Sequence, residues 1–82
     1  MDYEALKAVA NKSYEELKAV NYIYLSEAGR NALTAWSAID DAFRIEDSLE
    51  DVKRYLQAYC KALGDVKPDA VSLVKRFIEL HL

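Results

Sequence analysis

Glycine and proline are scarce in this chain, which holds two glycines and one proline in 82 residues. A sequence of average composition would carry about ten of the two together at this length. Sheets joined by tight turns draw heavily on both, so their scarcity speaks against a strand-rich fold. There is one cysteine, Cys60, and one histidine, His81. A lone cysteine excludes an internal disulfide framework and points to a reducing, cytoplasmic compartment. Long apolar runs are missing as well, so no segment is expected to enter a membrane. The Met-Asp-Tyr-Glu start carries no basic-plus-apolar signal. Glycine-rich phosphate loops, Gly-x-Ser-x-Gly elbows, zinc-ligand spacings and Glu-x-x-His pairs are all absent.

What is present favours helices. Alanine occurs twelve times, and Leu, Glu and Lys are abundant. The chain is 52% hydrophobic and 30% charged, a globular balance. Its length suits a single domain over 1–82, too small to bury a large core, and small helical proteins of this kind gain stability by associating. The net charge of −3 argues against nucleic acid as a partner. That charge is unevenly spread. Residues 1–51 carry eleven acids and five bases, whereas residues 52–82 carry three acids and six bases. The acidic and basic parts are expected to face each other within the fold or across a dimer.

Apolar periodicity sets the elements. Tyr3, Leu6, Ala10, Ser13, Leu17, Val20 and Tyr24 recur at alternating three- and four-residue steps, as on one face of a helix. Ser13–Glu16 fits a capping box, but the stripe passes through it in phase. From Leu25 the stripe slips by one residue to Gly29, Ala32, Trp36, Ile39 and Phe43. A turn, bulge or kink is therefore expected between Asn21 and Asn31, with Gly29 a natural place for it, and the exact helix break is left open between Asn11 and Asn31. A third helix over about 48–63 begins at Asp47 or Ser48 and ends at Gly64 in a left-handed cap. Pro68 then opens the last helix. The expected fold is all-α: a small antiparallel bundle of three to four helices, the first or second long or kinked near Gly29.

The last helix carries an apolar arc of roughly 200°, wider than one small bundle covers. This face, with the off-stripe Tyr22 and Ile23, predicts a non-catalytic interaction module that forms a homodimer. Tyr22, Ile23, Leu73, Phe77 and Leu80 are its candidate contacts. An alternative is a small acidic inhibitor, phage- or antitoxin-like, that masks a basic surface on a larger protein through Asp47, Glu50 and Asp51. A third reading is a carboxylate-metal or nucleotide enzyme built on the acids of residues 40–51, but their spacing lacks the inward-facing pairs such sites use. No catalytic residue, cofactor or metal is expected. Cys60 lies on an apolar stripe and reads as an inert buried thiol. An aromatic ligand pocket around Trp36, Tyr55 and Tyr59 is conceivable. Residues 35–47 are similar to the second helix of a tetratricopeptide unit, but the preceding helix does not match and no second repeat follows, so no family is assigned.

Overall fold

Three of the four helices begin on a side chain that caps them. Asp2 accepts a hydrogen bond from the Ala5 amide at 2.8 Å, Ser26 from Gly29 at 3.1 Å, and Ser48 from Asp51 at 3.2 Å. Each cap satisfies an amide that the helix itself leaves unpaired and contributes about 1 kcal/mol. The fourth helix opens with Pro68, whose missing N–H costs nothing in the first turn. The computed structural model describes residues 2–82 as α1 (Tyr3–Lys18), α2 (Glu27–Ile45), α3 (Leu49–Leu63) and α4 (Pro68–His81). A short 3-10 turn, Tyr22–Tyr24, joins α1 to α2, and no strand occurs among the described residues.

The slip in the apolar stripe is a break between two helices. Residues 19–26 leave the helix and re-enter it at Ser26, so α1 and α2 keep separate phases. Gly29 sits in the first turn of α2, which at 19 residues is the longest helix. At Ser13 the helix runs on without interruption. Gly64 departs from expectation: its φ of −55° and ψ of −37° are right-handed helical. The Leu63 carbonyl instead accepts from both Val66 and Lys67, at 3.1 and 2.8 Å. That pair of bonds closes α3 without a left-handed residue.

α2 is the hub and packs against α1, α3 and α4. Side-chain pairs fix the directions. Tyr3 reaches Phe43 and Asn11 reaches Asp40, so α1 runs antiparallel to α2. Cys60 lies against Val71 near the short turn that joins α3 to α4, and Gln57 lines a hollow with Ile78 and Glu79 further along, so α3 and α4 are antiparallel. Asn31 meets Asp69 and Trp36 meets Phe77, so α2 and α4 run parallel, side by side. The core joins Leu6, Ile39, Phe43, Val52, Leu56, Val74 and Phe77, with Ala10, Ala35 and Ala42 closing the helix crossings. Small residues there let the backbones approach and leave little void. The radius of gyration, 12.1 Å, is that of a fully collapsed chain of this length. Among the described residues, no helix is long and apolar enough to cross a membrane.

Candidate interaction face

Packing splits the wide apolar arc of α4 in two. Ala70, Val71, Val74 and Phe77 point inward and are buried. Leu73 and Leu80 stay outside, at 42% and 61% exposure. Phe77 therefore leaves the predicted contact set. It is 5% exposed, and its ring lies edge-on to Trp36 and Phe43, with centroids 5.7 and 6.3 Å away. One helix turn of about 100° per residue separates inner from outer positions finely, and the arc alone cannot say where the neighbouring helices stop.

Leu73 and Leu80 rim a groove between the parallel helices α2 and α4. Ala32, Ala35, Trp36 and Ile39 line its α2 side, and its volume is about 210 Å³. The groove continues toward the start of both helices as a shallower depression of about 520 Å³, lined by Glu27, Ala28, Asn31, Asp69 and Ser72. Tyr22 and Val66 share a further hollow with Pro68 and Asp69 at that same end. Tyr22 and Ile23 are exposed, and the Arg30 guanidinium lies 4.6 Å from the centre of the Tyr22 ring. One strip thus runs from Tyr22 and Val66, past Leu73, to Leu80. Both signs of charge border it: Glu27 and Asp69 stand at one end with Arg30 and Lys67, and Arg76 stands toward the other.

Sequence reasoning passed over Val66, because it lies in a turn, and Asp69 and Arg76, because they read as an ordinary polar strip. The available signal was spacing. Within α4, Leu73 and Leu80 are seven residues apart, and so are Asp69 and Arg76, which places all four on one face of the helix.

The acidic stretch is arranged differently. Arg44 pairs with Asp41 and, at 3.3 Å, with Asp40. Arg54 holds Glu50 at 2.7 Å and Asp51 at 3.3 Å. Of the three candidate docking acids, only Asp47 makes no ion pair among the described residues. Asp40 is buried and also accepts a hydrogen bond from Asn11 at 3.3 Å. It ties α1 to α2 rather than facing a ligand. No group of three His, Cys, Asp or Glu side chains converges as a metal site among the described residues. Trp36 and Tyr59 line separate hollows, Trp36 with Leu73 and Leu80, Tyr59 with Tyr14 between α1 and α3. Cys60 is buried with its Sγ 3.9 Å from the Val71 carbonyl oxygen. Burial pushes its thiol pKa up, and the nearby Lys75 offsets this in part, which keeps the thiolate scarce. No family model matches the chain, and neither a curated protein nor a solved structure does.

Proposed function

We propose that this chain is a non-catalytic helical interaction module that self-associates through the α2–α4 face. The observation that carries the reading is the pair of exposed leucines, Leu73 and Leu80, on the rim of an alanine-lined groove. In the isolated fold Leu73 and Leu80 leave much of their apolar surface in water, outside a core that Val74 and Phe77 already fill. Covered by another helix, each removes apolar surface from water at about 25 cal/mol per Å². The alanines of α2 let that helix come close. A cytoplasmic setting fits the single buried thiol. Docking through the acids of residues 40–51 has less support, because Arg44 and Arg54 already hold four of them.

Sedimentation equilibrium at micromolar concentration tests the reading. The expected species has twice the 9.3 kDa chain mass, and Leu73→Asp with Leu80→Asp returns it to monomer with helical content unchanged. A wild-type chain that sediments as a monomer overturns it.

A further inference from the structure

We infer that two copies of this chain dock antiparallel across a twofold axis passing beside Leu73. This rests on the self-association reading above and goes further by fixing which residues meet. Val66, Leu73 and Leu80 stand exposed at 71%, 42% and 61%, seven residues apart. Asp69 and Arg76 fall between them at the same period, and all five belong to the one strip. On α4 the strip is apolar at Leu73 and Leu80, with Asp69 and Arg76 on opposite sides of Leu73; Glu27, Arg30 and Lys67 stand beyond Asp69, near Tyr22 and Val66.

Such a strip complements itself only when reversed. A twofold axis at Leu73 brings Asp69 of each copy to Arg76 of the other, twice per dimer. Leu73 meets its own counterpart, and Leu80 reaches the end of the second copy that carries Val66 and Tyr22. Interfaces of this isologous kind use one patch twice and need no further surface. Parallel docking would set Asp69 against Asp69 and Arg76 against Arg76, an arrangement that like-charge repulsion disfavours. Neither side chain has an ion-pair partner of its own among the described residues, so both charges are available to the second copy. Among the described residues, Asn31, at 3.5 Å, is the one side chain that hydrogen-bonds Asp69. It donates to one carboxylate oxygen and leaves the other open.

Charge reversal tests the register. Asp69 and Arg76 are exposed, so Asp69→Lys and Arg76→Glu should keep the wild-type circular dichroism spectrum. Each variant alone places two repulsive pairs in the dimer and should weaken the dissociation constant about tenfold or more at low salt. An equimolar mixture of the two variants, and the double variant Asp69→Lys/Arg76→Glu, should recover wild-type dimerisation. Leu73→Cys should cross-link to itself under mild oxidation, and Val66→Cys alone should not. Single variants that dimerise like wild type, or a double variant as weak as either single one, overturn the twofold register while leaving self-association standing. A monomeric wild type removes both.

Discussion

Tyr3, the first residue of α1, closes the last turn of α2 through Phe43. Its hydroxyl lies 2.8 Å from the Phe43 carbonyl oxygen and 2.6 Å from that of Glu46, and the two rings are 5.5 Å apart. The Phe43 carbonyl belongs to the final turn, where no intrahelical amide remains to bond it. A single phenolic proton shared between two such oxygens locks the start of the chain onto its middle. Tyr3→Phe keeps the ring and removes that proton. The expected cost is about 1–2 kcal/mol, read as a fall in Tm of about 4–8 °C per kcal/mol for a domain of this size. An unchanged Tm would show that water serves the two carbonyls equally well.

Phe77 and Leu80 lie within one turn of each other and should behave oppositely. Phe77→Ala empties a site bounded by Trp36 and Phe43 and should cost about 3–5 kcal/mol, a large part of the total stability of a small domain. Leu80→Ala removes an exposed side chain and should leave unfolding of dilute, monomeric protein within about 0.5 kcal/mol of wild type. Urea titration measures both. Equal losses would mean that Leu80 packs into the monomer.

Gly29 can accept a Cβ once the Leu25 side chain gives way slightly. Its φ is not positive, and the nearest atom to an added Cβ is the flexible Leu25 Cδ2 at 3.3 Å. Gly29→Ala should therefore stabilise by about 0.4–1 kcal/mol, chiefly by restricting the unfolded chain. A raised urea midpoint with unchanged slope is the expected result. A lowered midpoint would show that Leu25 cannot move aside.

Alkaline pH should weaken the fold through two neighbours on α3. Burial pushes the Tyr59 phenol pKa up, with smaller contributions from Cys60 and Tyr55, and burial also raises the Cys60 thiol. Below the ordinary thiol and phenol values both groups are protonated whether the chain is folded or not, and they add no pH dependence. Above those values the unfolded chain loses its protons first, so stability falls from about pH 8.5 upward until the folded groups ionise too. Urea midpoints at neutral and alkaline pH measure the loss, and Tyr59→Phe should reduce its slope. A wild-type midpoint that is flat over this range contradicts the shifts. The same raised thiol predicts slow alkylation of Cys60 in the native protein and fast alkylation in urea.

The helices themselves were legible because their signals are local. A capping side chain at Ser48, Pro68 at a first turn and a one-residue slip near Tyr24 each act within a few residues. Periodicity also placed Leu6, Ala10, Ile39 and Phe43 on apolar stripes, and all four are buried. Gly64 was misread because a terminal glycine has two ways to end a helix. The bonds from Val66 and Lys67 to the Leu63 carbonyl select the right-handed one.

By itself, the sequence determined an all-α chain, the faces its helices would hide, and an apolar surplus on the last of them. Only the tertiary structure decided how that surplus divides, placing Phe77 in the core and Leu73 and Leu80 at the surface. It also decided that Arg44 and Arg54 hold most of the acidic stretch, and that Val66, Asp69 and Arg76 join Leu73 on one strip. The physical reason is that a helical wheel states which residues share a face, whereas burial and pairing depend on where other helices lie. The parallel run of α2 beside α4 is a long-range arrangement that no local spacing specifies.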